Sequence, residues 1–252
     1  MLKIPSLFLI ALLFIISSCQ NQIPSKENAV NIQKKEYYDS TRSREIPVAV
    51  ITSKKQNKIP IIFSHGWGEN KGGDYLVYSY LTDFLAQQGY FVASIQHELP
   101  TDEFLAMEGD FKVTRMPNWK RGAENIHFTI QQLKKDFPDL KFDNLIVIGH
   151  SNGGDMSTLF AHEHPELLEK LITLDQRRMA LPRTLNPKIY TIRSRDYPAD
   201  EGVLPTEEEA KKYKITIDWA PINHSQMDND ATPDERKYMT SKILQFLQDS
   251  TK

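Results

Sequence analysis

The sequence predicts an α/β fold, a single domain whose mostly parallel sheet is covered by helices on both faces. Three observations carry that expectation. Short apolar runs of strand length recur at residues 59–63, 90–95, 145–148, 171–174 and 189–192. Between them lie longer segments whose apolar residues are spaced by threes and fours, as on one face of a helix. Fully apolar strands alternating with helices are what a parallel sheet buried on both faces requires. The 252 residues suit one such domain with small additions, and no repeat or linker-like stretch interrupts the middle of the chain.

Taken in order, residues 44–51 read as a strand and 59–63 as a second. Asp74 can cap a helix carrying Leu76, Val77, Tyr80, Leu81, Phe84 and Leu85, which Gly89 stops. Strand 90–95 follows. Trp119, Ala123, Ile126, Ile130, Leu133 and Phe137 draw one apolar stripe on a helix that Pro138 ends. Strand 145–148, a helix over about 153–162, and strands 171–174 and 189–192 come next. Thr206 can cap a short helix, 215–219 reads as strand, and 233–247 closes as a helix. In such sheets, sites lie at the carboxyl ends of the strands.

The N-terminus differs in kind. Lys3 precedes an unbroken apolar run over residues 7–16, too short for the roughly 20 residues of a membrane-spanning helix but suited to a signal peptide. Ile16-Ser17-Ser18-Cys19 resembles the lipobox of bacterial lipoproteins, and Cys19 is the chain's one cysteine. The resemblance implies a signal peptide over 1–18, lipidation of Cys19 and a membrane-anchored lipoprotein of the cell envelope. The competing reading is an ordinary cleaved signal with an incidental cysteine. Residues 19–40 are polar and aperiodic and read as a flexible tether, which leaves 41–252 as the folded domain. A formal net charge of -2 and the lack of a long basic run give no reason to expect a nucleic-acid partner.

One motif breaks the apolar pattern. Gly149-His150-Ser151-Asn152-Gly153 matches G-x-S-x-G between a predicted strand and a predicted helix. There the chain turns so sharply that the serine stands clear of the sheet, and its neighbours must be small. A serine hydroxyl is a weak nucleophile and needs a histidine base oriented by a carboxylate. The chain order should be serine, acid, histidine. His224 is the only histidine after His164, so it is the candidate base. His162 and His164 read as a solvated helix end, His97, His127 and His150 as structural. No metal site or cofactor is expected.

Residues 61–68 end a strand in His65-Gly66-Trp67-Gly68, which looks like the oxyanion turn of α/β-hydrolases. The oxyanion donors would be the backbone N–H groups of Trp67 and Asn152. The Trp67 indole then either walls the acyl site or packs in the core. Together with Phe63-Ser-His-Gly66, Gly89-Tyr-Phe-Val-Ala-Ser-Ile-Gln-His97 and Gly149-His-Ser-Asn-Gly-Gly154, the chain from about Asp39 resembles platelet-activating-factor acetylhydrolases and related dienelactone-hydrolase-like esterases. That resemblance implies the α/β-hydrolase fold and hydrolysis of short acyl esters without metal or organic cofactor. Dienelactone hydrolases proper use a cysteine nucleophile, so Ser151 points to the ester-cleaving branch.

Two aspartates compete for the acid. Asp196 lies just past strand 189–192, the usual place in α/β-hydrolases. Asp175 ends strand 171–174 in Leu-Ile-Thr-Leu-Asp, a phrase that resembles the acid-bearing strand of the acetylhydrolases. Both precede His224, so order cannot decide; motif favours Asp175, which is taken first.

Arg177, Arg178, Arg193 and Arg195 flank the same two strand ends. They suit an ester with an anionic group, or salt bridges to Asp175, Asp196, Asp200 and Glu201. Residues 98–118 should overhang the pocket, with Phe104, Leu105, Met107, Phe111 and Met116 as lining or as ordinary packing. The expectation is thus an exported, lipid-anchored serine hydrolase of small-molecule carboxylic esters. Its rivals are a catalytically inactive binding lipoprotein on the same scaffold, or a peptidase or thioesterase with the same triad.

Overall fold

The computed structural model describes residues 29–55 and 59–249. The signal peptide expected at 1–18 and Cys19 lie outside the described residues. Among the described residues, eight strands form one sheet: β1 (Val30–Asp39), β2 (Arg44–Ser53), β3 (Pro60–Ser64), β4 (Phe91–Ile95), β5 (Leu145–His150), β6 (Leu168–Leu174), β7 (Lys188–Arg193) and β8 (Thr216–Trp219). Their spatial order is β1-β2-β4-β3-β5-β6-β7-β8. Only β2 runs against its neighbours; β4 through β8 are parallel, as the apolar strands predict. The helices are α1 (Ser79–Gln87), α2 (Phe111–Thr114), α3 (Met116–Asp136), α4 (Ser151–Glu163), α5 (Glu207–Tyr213) and α6 (Pro233–Gln248).

Side-chain alternation along the strands feeds two cores, one on each face. On one face Ile62, Ala93 and Val147 pack with Trp119, Ile126 and Ile130 of α3 and Phe160 of α4. On the other, Ile61, Phe63, Val92 and Ile148 pack with Leu81 and Leu85 of α1 and Met239 and Ile243 of α6. Capping boxes start α5 at Thr206 and α6 at Thr232, each closed by a glutamate three residues on.

Three expectations need correction. The tether expected over 19–40 becomes strand from Val30 onward: β1 pairs with β2 over ten residues, from Val30 opposite Ser53 to Asp39 opposite Arg44. It is an edge strand with mostly exposed side chains, so backbone pairing holds it without an apolar alternation. The helix expected from Asp74 is there a single 3₁₀ turn, Asp74–Leu76, and α1 begins only at Ser79. Asp74 does not cap; its Oδ2 accepts from Gln96 Nε2 at 3.1 Å. The helix expected from about 153 starts two residues earlier, on Ser151 itself.

Parallel strands put their carboxyl ends on one edge of the sheet. Along that edge stand His65–Gly68 after β3, Glu98 after β4, Ser151 after β5, Asp175 after β6, Asp196 after β7 and His224 after β8.

Candidate active site

Strand β5 ends at His150 and α4 begins at Ser151 with no residue between, which requires an abrupt turn. Ser151 makes it with φ 51°, in the left-handed region where non-glycine residues are uncommon. The flanking glycines are steric necessities. A Cβ on Gly149 would lie 2.4 Å from the Gly153 carbonyl oxygen, and one on Gly153 would lie 2.1 Å from that of His65.

His224 opens a short turn after β8, and its ring meets Ser151. His224 Nε2 is 2.9 Å from Ser151 Oγ, and His224 Nδ1 is 2.5 Å from Asp175 Oδ2. With the proton on Nδ1 donated to the carboxylate, Nε2 is free to accept from the serine hydroxyl. Asp175 is fully buried, also with positive φ (55°); its other oxygen accepts from the Ser194 N–H and forms an ion pair with Arg193 Nη2, each at 2.9 Å. Burial works to raise the Asp175 pKa. The His224 hydrogen bond, the Arg193 guanidinium and the Ser194 amide outweigh it and hold the group below the usual carboxylate range.

The second candidate acid is placed differently. Asp196 is exposed and does not reach the ring; its Oδ1 accepts from the His224 backbone N–H at 2.8 Å. Asp175 and Asp196 therefore both touch His224, one at the imidazole and one at the main chain.

Trp67 and Asn152 border the same cleft as Ser151 and His224, a concavity of about 820 Å³. The Asn152 N–H lies in the first turn of α4, where no carbonyl four residues back can accept it. On either side of Trp67, Gly66 and Gly68 give their N–H groups to the Tyr78 hydroxyl and Glu98 Oε2, both at 3.0 Å; among the described residues nothing accepts that of Trp67. The Trp67 indole is half-buried and meets Phe104 edge-on, with ring centroids 6.5 Å apart.

Residues that sequence reasoning missed tie these parts together. Gly66 N–H donates to the Tyr78 hydroxyl, which lies 2.7 Å from His150 Nδ1, and His150 Nε2 is 3.2 Å from the His224 carbonyl oxygen. Burial and the neighbouring His224 push His150 down to about 3, so it is neutral and can accept at one nitrogen while donating at the other. This chain links the turn after β3 to the main chain of His224. A second network lies under Asn152. Its Nδ2 donates to Glu98 Oε1 (3.2 Å) and Asn118 Oδ1 (2.9 Å), and its Oδ1 accepts from Trp119 Nε1 (2.9 Å). Glu98 is buried and bridges the two loops. Burial pushes it up to about 7, against the lowering effect of the Gly68 N–H, with Asp74 adding to the rise and Asn152 opposing it. The one sequence signal for either network is a polar residue directly after an apolar strand, which also describes many ordinary strand ends.

The remaining expectations divide. Leu105 and Met107 line the cleft, as does Arg115, which the sequence did not single out. Phe104 stands exposed beside Trp67, Phe111 lies under the guanidiniums of Arg115 and Arg178, and Met116 packs against the core. Of the four arginines after β6 and at β7, only Arg177 borders the cleft. Among the described residues no group of three or more metal-ligating side chains forms.

No protein-family model matches the sequence, and no curated protein matches it either. Solved structures do. The esterase Est22 superimposes with a TM-score of 0.62 at 12% identity, over 90% of this chain and 84% of its own. One of two fungal esterases from Rhizomucor miehei gives 0.63 at 13% identity, over 87% and 82%. A bacterial heroin esterase gives 0.57 at 14% identity, over 89% and 85%. At such identities the likeness speaks for architecture, and the architecture it establishes for this chain is the α/β-hydrolase fold.

Proposed function

We propose that this chain is a serine hydrolase that cleaves small carboxylic esters through an acyl-enzyme. One observation carries the reading: the line Ser151 Oγ to His224 to Asp175, at 2.9 and 2.5 Å, in a cleft bordered by two amides free to receive an oxyanion. In this reading Ser151 Oγ attacks the ester carbonyl while His224 Nε2 takes its proton, and the ionised Asp175 stabilises the resulting imidazolium. The Trp67 and Asn152 N–H groups hold the oxyanion. Its collapse expels the alcohol, protonated by His224. Water, deprotonated by the same histidine, then releases the acid and restores Ser151. Asp196 serves by anchoring the His224 main chain.

Support also comes from the neighbours, which are esterases by name, one of them solved with p-nitrophenol. The acetylhydrolase-like phrases around Ser151 narrow the proposed substrates to short acyl esters. Residues 1–19 support export and anchoring through a lipidated Cys19. In that reading Cys19→Ala moves the protein from the detergent to the aqueous phase, and an unmodified Cys19 in mature wild-type protein ends it.

The test of activity is a fluorophosphonate probe with peptide mapping. Modification at Ser151, slowed while saturating p-nitrophenyl butyrate is present, is the expected result. Folded protein that leaves Ser151 unmodified and cleaves no p-nitrophenyl ester from acetate to octanoate would favour the inactive binding scaffold.

A further inference from the structure

We propose that Arg115 and Arg177 form a carboxylate-binding subsite beside Ser151, so that the esters bound best carry an anionic group on their acyl or alcohol part. The inference rests on the ester-hydrolase reading for the identity of the cleft. It begins from how the arginines are occupied. Arg178 pairs with Asp200, and Arg193 with Asp175 and with Gln176, behind the site. Arg195 Nε donates to Asn223 Oδ1 at 2.7 Å. Arg177 has no such partner among the described residues. Its guanidinium lies 3.7 Å over the Tyr197 ring, a contact through the flat face that leaves the N–H edge open.

Arg115 joins it from the other side of the chain order, at the start of α3. It is only 9% exposed, yet no carboxylate pairs with it among the described residues. Its Nε donates to the Ala106 carbonyl oxygen at 2.8 Å, and the guanidinium lies 4.2 Å from the Phe111 ring. A buried cation without a counter-ion is unfavourable, and an arriving carboxylate relieves it. Burial and the nearby Arg178, with a smaller effect from Arg177, press Arg115 below its usual pKa. The two guanidiniums border one cleft; Asp155 opposes that shift and acts on both from a distance, but it accepts from the Arg178 and Met179 N–H groups, so among the described residues no carboxylate pairs with Arg115 or Arg177.

The acids of the same cleft belong to other elements. Glu69 and Asp74 follow β3, and Asp228 and Asp230 follow His224. Glu69 already pairs with Lys71, Asp74 accepts from Gln96, and Asp228 accepts from the Asp230 N–H. An anionic substrate is repelled there and drawn to Arg115 and Arg177, which gives the bound ester a direction. Leu105 and Met107, on the segment before Arg115, supply apolar surface for the rest of it.

Binding can be read apart from turnover in Ser151→Ala protein, by calorimetry at low ionic strength. Phenyl hemisuccinate against phenyl butyrate tests an anion on the acyl side; 4-acetoxybenzoate against phenyl acetate tests one on the alcohol side. In one of the two pairs the anionic ester should bind about tenfold more tightly, as paired charge-assisted hydrogen bonds allow. Arg177→Met should remove that ratio, and 0.5 M salt should reduce it. Arg115→Met endangers the turn at Ala106, so Arg115→Lys, which keeps the charge and loses the paired geometry, is the second variant; it should lower the ratio severalfold. Equal binding within both pairs, or a ratio indifferent to Arg177→Met, overturns the subsite. Wild-type hydrolysis of phenyl butyrate reports separately on the ester reading. Turnover without an anionic preference sinks the subsite alone, whereas a preference intact in Ser151→Ala without any wild-type turnover supports the subsite and sinks the ester reading.

Discussion

Asp175 closes β6 and Asp196 follows β7, two adjacent parallel strands, and both carboxylates accept a hydrogen bond from His224. They differ in what surrounds them. Asp175 is buried, held in a left-handed backbone conformation, and meets the imidazole with Arg193 behind it. Asp196 is exposed and meets only the main chain. Chain order treats the two alike, since each follows a strand and precedes His224. The difference lies in desolvation and in a fixed counter-charge, which keep one carboxylate ionised at the ring without competition from water.

The largest effect should come from neutralising the carboxylate at the ring. Asp175→Asn should lower kcat for p-nitrophenyl butyrate by about 10⁴, the loss typical when the triad acid's charge is removed. A matched circular-dichroism spectrum would show that the fold survives. Asp175 also depends on its partner. Arg193→Met leaves a buried carboxylate without its cation and should cost about 3–5 kcal/mol in urea unfolding at pH 7.

Glu98 sharpens the comparison, because it is as buried as Asp175 but no cation pairs with it among the described residues. The two should respond to pH with opposite signs. The folded protein holds the Glu98 proton between the usual 4.5 and about 7, a window in which the unfolded chain has already released it. Its contribution to stability is therefore greatest at low pH and falls as pH rises through that window, by about 3 kcal/mol in total. Asp175, held below the usual carboxylate range, contributes above that range and loses its contribution as pH falls. Urea unfolding of wild type and Glu98→Gln from pH 4.5 to 8 isolates the Glu98 part, since the variant lacks that fall. A constant difference between them across this range would place Glu98 outside the titration.

The smallest effect should belong to Asp196. An asparagine there still offers an oxygen to the His224 N–H, so Asp196→Asn should change kcat by less than about tenfold. If it instead costs more than Asp175→Asn, the ring partner and the main-chain partner must exchange roles.

What was legible in the sequence follows the range over which each feature is determined. The elbow is legible as a local pattern of five residues; the clash that requires Gly149 lies within it, whereas the one that requires Gly153 comes from the His65 carbonyl oxygen at the end of β3. The parallel sheet was legible because strands buried on both faces are apolar throughout. Strand β1 was not, since Lys34 and Glu36 face solvent on an edge, Lys35 pairs with Asp136, and the ten-residue backbone pairing with β2 leaves no apolar alternation to read. The phrase at 171–175 favoured Asp175 over Asp196, but the contact with the ring depends on the relative position of β6, β7 and the turn at His224, which lie far apart in the chain. The bridge from Glu98 to Asn152 spans 54 residues and that from Tyr78 to His150 spans 72. Arg115 was hidden for the same reason, as it reaches the cleft only once residues 98–115 are folded over it.

The most direct measurement is to quench a reaction with p-nitrophenyl butyrate within milliseconds in acid and identify the acylated residue by mass spectrometry. The account predicts a butyryl group on Ser151, formed in step with a burst of p-nitrophenol and trapped far less in Asp175→Asn. Steady turnover with Ser151 unmodified at every quench time and no burst, or an acyl group on another residue, would contradict it.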